Sequence, residues 1–216
     1  GAVQPRANDS VPKSVSDVIA HRAELLTGYQ NAAYAARYTK TLKQLTCGFG
    51  EAHQMLAAKA LYKLMAYKDE YEVARLHTEQ GFYADLAAQF DGDFTVRHHM
   101  APPLLSWRKD ARGRPVKRAF GPWMQRALRL VAKGRRLRGT WVDPFGYTTE
   151  RREERALIDW YVAGLGRLSG GIADSGAATI FLSAPLEFRG YGPVKAEAVA
   201  RLKPQADAAL EKASSR

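Results

Sequence analysis

The chain has 216 residues, 46% of them apolar, and 33 Lys and Arg against 22 Asp and Glu, for a formal charge of +11. No apolar run approaches the roughly 20 residues of a membrane span, so a soluble chain with one domain's worth of core is expected, and the sparse cysteine usage fits a cytoplasmic one. The single cysteine, Cys47, excludes a disulfide framework and any cysteine-held zinc or iron–sulfur site within this chain, while the basic balance favours polyanionic partners: nucleic acid, phosphorylated cofactors or acidic proteins.

Residues 1–13 are polar, carry two prolines and read as a flexible lead-in. The Gly-Ala start resembles a tag-cleavage remnant on an excised piece of a longer chain. Residues 14–213 read as a single helical domain. Ser14 or Ser16 can cap a helix, with Asp17 in its first turn. Apolar spacing from Val18 through Leu45 predicts that this helix continues to about Cys47. "GFG" (48–50) breaks the pattern, and a second helix is predicted from Glu51 to about His77. Two helices of this length joined by a short turn should pack as a long antiparallel pair.

"FYADLAAQF" (82–90) predicts a short third helix, stopped by "DGD". Phe94, Val96 and Pro102-Pro103 argue for extended chain over 94–107. "RKDARGRPVKR" (108–118) reads as an exposed loop or hairpin. Gly121-Pro122 opens a helix, "WMQRALRLVAK", that ends at Gly134. Thr148 or Thr149 starts another, "ERREERALIDWYVAGLGRL". Residues 173–192 hold a further apolar segment, read as a short helix rather than a strand. Residues 195–213 are helical, with a break or kink expected at Pro204. The fold class is therefore mostly α, with an irregular central segment that could hold a β-hairpin.

The stretch "KLMAYKDEYEVARLH" (63–77) packs acids, bases and tyrosines densely. Lys68 sits four before Glu72, Tyr67 four before Tyr71, and Tyr71 four before Arg75, spacings that share one helix face. By spacing alone these are ordinary helix pairs worth a few tenths of a kcal/mol. His98 and His99 are adjacent in predicted extended chain and point to opposite faces. His21, His53 and His77 have no carboxylate-rich partner motif, so no metal site is expected. From Ser106 to Arg155 there are 15 Lys and Arg and 5 Asp and Glu, which places nearly all the net charge in one quarter of the chain. Arg112, Arg114, Lys117, Arg118, Arg135, Arg136 and Arg138 form the candidate anion-binding or docking surface. Trp107, Trp123 and Trp141 could add stacking, although no known nucleic-acid-binding pattern accompanies them. No complete catalytic constellation is present.

Five blocks carry a further signal: "LYKLMAYKDEYEVARLHT" (61–78), "HHMAPPLL" (98–105), "RPVKRAFGPWMQRALRL" (114–130), "LRGTWVDPFGYTTERREERALIDWY" (137–161) and "FRGYGPVKAEAV" (188–199). In this order they resemble the C-terminal region of the large bacterial indolepyruvate ferredoxin oxidoreductases, members of the 2-oxoacid:acceptor oxidoreductase family. The resemblance spans about 16–202 and is poorest over 164–185. It implies a parent enzyme that oxidatively decarboxylates aryl 2-oxoacids such as indolepyruvate to aryl-acetyl-CoA. Thiamine diphosphate with Mg, 4Fe-4S clusters, CoA as substrate, ferredoxin as acceptor and a homodimeric assembly are implied for that parent. The motifs for these groups lie in other domains, so no catalytic residue, cofactor or metal is carried onto this sequence.

The resemblance also changes the reading of the polar stretch. Lys68, Asp69, Glu70, Glu72 and Arg75 become a partly buried structural network, with Tyr67 and Tyr71 packed between. The expected function is a non-catalytic docking domain that meets the catalytic domains of its own parent chain. Its basic surface would lie near CoA phosphates or an acidic neighbouring domain. The alternative is a free-standing basic nucleic-acid-binding module.

Overall fold

Local capping groups decide where the helices of this chain begin. The computed structural model describes residues 14–78, 98–100, 118–121 and 123–214, with backbone alone at 98–100, 118 and 119. Helix α1 (Val15–Tyr29) opens on a capping box, in which the Ser14 hydroxyl accepts from the Asp17 amide and the Asp17 carboxylate accepts from the Ser14 amide. α1 stops at Gln30 because Asn31 stands in extended backbone and caps a new helix, α2 (Ala32–Leu45), by accepting from the Tyr34 amide at 2.8 Å. α3 (Glu51–Met65) ends at Ala66, and α4 (Glu70–Thr78) begins three residues after Tyr67. The two long helices predicted from periodicity are thus four shorter ones. Asn31 and Asp69 each offer an orphan amide a side-chain acceptor, and that local bond interrupts a hydrophobic pattern that continues past it.

The span read as one helical domain gathers into two compact units. One combines the chain up to Tyr67 with the chain from Thr148 onward; the other is Lys68–Tyr147. The first unit adds α6 (Thr149–Leu168), α7 (Ser175–Glu187) and α8 (Pro193–Ser214) to α1–α3. Thr148 caps α6 and Asp174 caps α7, each through a side-chain oxygen. The apolar segment within 173–192 is the helix α7, as expected. α8 runs through Pro204 without a break; packing outweighs the one hydrogen bond that proline removes.

The core of this unit includes Leu26, Tyr38, Leu61, Leu64, Tyr161, Leu165, Phe181 and Leu182, all at most 1% exposed. Its buried phenols find helix carbonyls: Tyr38 donates to Ala58 and Tyr161 to Leu182, which removes the cost of an unmet hydroxyl. Tyr161 stacks on Phe181 at 5.3 Å between ring centroids. The Phe181 ring lies directly against Gly164, where a Cβ atom would fall 2.1 Å from Cζ. Glycine is therefore required on α6 for α7 to approach this closely.

The second unit contains α4, strands β1 (His98–Met100) and β2 (Arg118–Phe120), α5 (Trp123–Lys133) and a 3-10 turn, Gly134–Leu137, that leads into a loop ending at Tyr147. The strands pair antiparallel, with His98 opposite Phe120 and Met100 opposite Arg118. The helix predicted at 82–90 and most of the polar loop predicted at 108–118 lie outside the described residues. α5 packs on α4 through Met124, Leu128 and Ala74, with Phe120, Ala127, Val131 and Ala132 around them. The fold is mostly α, and no helix among the described residues is long and apolar enough to cross a membrane.

Gly164→Ala should destabilise the protein by about 1–3 kcal/mol, because the added methyl overpacks a filled contact. Combining it with Phe181→Leu should recover part of that loss in a double-mutant cycle read by urea unfolding. Simple addition of the two costs would count against the contact.

Candidate functional site

The densest polar stretch of the sequence, 67–75, is divided between uses once the chain folds. Asp69 is 3% exposed and stands just before α4. Its Oδ1 accepts from the Glu72 amide at 2.8 Å, and its carbonyl accepts from the Val73 amide, so it is the N-cap of that helix. The same carboxylate holds Arg138, which is 4% exposed, in a two-pronged pair: Nε to Oδ2 at 2.5 Å and Nη2 to Oδ1 at 2.8 Å. A guanidinium matches a carboxylate in this planar geometry as an ammonium cannot.

Tyr71 follows in the first turn of α4. Its hydroxyl donates to Asp143 Oδ1 at 2.9 Å, its ring lies 5.5 Å from the Arg138 guanidinium carbon, and Phe145 meets it edge-on at 5.2 Å. Burial pushes the phenol well above its ordinary value near 10, and the hydrogen bond to Asp143 adds to the effect. Asp143, 2% exposed, gathers the loop around itself: Oδ2 accepts from the Gly139 amide at 2.8 Å and Oδ1 from the Phe145 amide at 3.1 Å. Gly139 takes a φ of 73°, and a Cβ at Gly146 would sit 2.6 Å from Asp143 Oδ2. Both positions need glycine for the loop to close on the carboxylate.

The site is therefore a clamp of Asp69, Tyr71, Arg138 and Asp143, all within the second unit. Every carboxylate oxygen in it already accepts a donor, and the phenol is held neutral. Such an arrangement fixes a shape; it has no open base or nucleophile for a substrate.

The residues expected in one network take the following places. Asp69 and Tyr71 join the clamp. Glu72 and Arg75 pair with each other within α4 at 2.7 and 2.9 Å. Glu70 is half-buried at the start of that helix, and Lys68 is exposed. Tyr67 belongs to the first unit, where its carbonyl accepts from the Tyr29 hydroxyl and the Arg151 guanidinium lies over its ring. On the candidate basic surface, Arg136 is exposed and Arg135 half-buried. Arg138 is not on that surface; it is buried because Asp69 needs its charge. Arg118 is described by its backbone in β2, and Arg112, Arg114 and Lys117 lie outside the described residues. Sequence reasoning missed Asp143, Gly139, Phe145 and Gly146. Their signal was the run "RGTWVDPFGY", in which an Asp flanked by glycines marks a tight loop folded on a carboxylate.

In the first unit a groove of about 490 Å³ lies between the ends of α3, α6 and α7. His53 lines it, with Nε2 3.1 Å from Thr179 Oγ1 and 3.3 Å from the Ser175 carbonyl.

Removing one half of the buried pair should be severe. Asp69→Asn and Arg138→Met should each cost about 3–5 kcal/mol in urea unfolding, because the partner charge stays buried; Arg75→Ala should cost no more than about 1 kcal/mol. Equal losses at Arg75 and Arg138 would refute this ranking. The raised phenol gives a second test. A group whose folded pKa lies above its unfolded value supplies stability that is present below the unfolded value and lost as pH rises through the folded one. Stability should therefore fall above about pH 10; the buried Tyr38 and Tyr161 phenols are raised in the same direction, so Tyr71→Phe should make that alkaline limb shallower without removing it. An unchanged limb would place the titration elsewhere.

Searches of curated proteins and of solved structures each found no match. The model of a family of unknown function, DUF6537, matches residues 15–208, and the chain therefore belongs to that family.

Proposed function

We propose that this chain is a non-catalytic docking domain from the C-terminal region of a larger enzyme of the indolepyruvate ferredoxin oxidoreductase type. One observation carries the reading. Two of the blocks that resemble that family, 61–78 and 137–161, meet in the clamp, where Asp69 binds Arg138 and Tyr71 binds Asp143. Unusual polar residues spent on each other support a role in holding a surface rather than in chemistry.

On this reading thiamine diphosphate with Mg and the 4Fe-4S clusters sit in other domains, since Cys47 alone cannot ligate a cluster. CoA is the parent's substrate and ferredoxin its acceptor. The domain's contribution is to brace the catalytic domains, with Arg135 and Arg136 turned toward CoA phosphates or an acidic neighbour.

The longer gene product in which this sequence lies should contain a thiamine-binding and cluster-binding region. That region, expressed separately, should form a complex with this domain in size-exclusion chromatography with light scattering. Deleting the domain should leave thiamine and clusters bound but lower indolepyruvate-dependent ferredoxin reduction. A parent without such a region, or one whose activity and assembly are unchanged by the deletion, overturns the proposal.

A further inference from the structure

Between Asp110 and Asp143 the chain has no acidic residue and ten Lys and Arg. Five of those cations are exposed or half-exposed: Arg126, Arg129 and Lys133 on α5, and Arg135 and Arg136 in the 3-10 turn. Among the described residues none of the five has an ion pair or a side-chain hydrogen bond. α5 spends its inner face on α4 through Met124 and Leu128. Its other face carries Trp123, Arg126, Leu130 and Lys133 at spacings of three and four, one continuous stripe. Apolar bulk is exposed along it: Trp123 is 58% exposed and Leu130 73%. Leu137 and Trp141, in the turn and loop that follow the helix, are exposed as well, Trp141 at 85%. The loop that carries Trp141 is held by Asp143, so the indole is presented at little cost in ordering.

We propose that this face of the second unit docks onto an acidic surface of a folded protein domain, with Trp141 and Trp123 as apolar anchors and the five cations as the complementary charge. The proposal rests on the docking-domain reading and deepens it by naming the face and the chemistry of the partner. Charge complementarity makes the partner acidic, because five cations with no ion pair among the described residues repel one another until counter-charges arrive. Three features favour a protein. Single-stranded nucleic acid stacks on aromatic rings and has no use for exposed leucines. A membrane-surface helix segregates its apolar face toward lipid, whereas the apolar face of α5 is already buried on α4. Trp and Arg are the residues enriched at the hot spots of protein–protein interfaces.

The test uses this chain with a random copolymer of glutamate and tyrosine as probe. Polyglutamate, oligothymidylate and phosphatidylcholine vesicles containing phosphatidylserine are compared at matched ionic strength. The copolymer should bind most tightly by calorimetry and shift the tryptophan emission. Trp141→Ala should weaken it about tenfold, and Arg129→Glu with Lys133→Glu at least as much, with circular dichroism and the unfolding midpoint unchanged. Binding that is absent, equal for copolymer and polyglutamate, or insensitive to Trp141→Ala leaves a solvated basic face and overturns the proposal. Tighter binding of oligothymidylate or vesicles also overturns it, in favour of nucleic acid or lipid. The same variants mixed with the parent's catalytic region separate the two readings. Complex formation that survives Arg129→Glu with Lys133→Glu removes this face but keeps the docking domain, whereas a wild-type domain that forms no complex removes the docking domain itself.

Discussion

The buried pair between Asp69 and Arg138 governs the arrangement of the second unit. A lone charge at either position would cost several kcal/mol in that environment. The pair is tolerated because Asp69 also accepts the Glu72 amide, so all the strong acceptor sites facing the pair are used. One carboxylate thereby starts α4 and holds the end of the 3-10 turn. Neither can shift without stranding a charge.

The remaining contacts of the clamp depend on that placement. Starting α4 at Glu70 puts Tyr71 in the first turn, where its ring packs against Arg138 and its hydroxyl reaches Asp143. Asp143 then closes the loop from Gly139 to Gly146, with glycines where a side chain would strain the backbone conformation or strike the carboxylate. Polar groups used in this way give geometric specificity more than net stability. The first unit is held by different means. Its aromatic and aliphatic core is stabilised by burial, and its tyrosines satisfy their hydroxyls on helix carbonyls.

The clamp also explains why one side of the second unit can carry exposed tryptophan and leucine. α5 rests on α4 through one narrow apolar face, and the loop beyond it is tied down by Asp143. Of these exposed residues, Trp123 also meets Phe120 edge-on at 5.9 Å.

The helical character of the chain, the helix 123–133 and the helical segment within 173–192 were legible in the residues alone, and the helix starts were narrowed to Ser14 or Ser16 and to Thr148 or Thr149, because 3.6-residue periodicity and capping chemistry are local. The density of charge and tyrosine in the 67–75 stretch was legible too. Its partners were not. Arg138 reads as one more cation in a basic run, and only folding brings it 69 residues back in sequence to Asp69. The breaks at Asn31 and Asp69 were hidden for a related reason: apolar periodicity continues across them, and a cap wins only when the neighbouring turn is anchored elsewhere. Sequence determined which segments are helices and where the charge lies. Tertiary structure decided which charges are buried, since burial depends on partners far along the chain that no local pattern encodes.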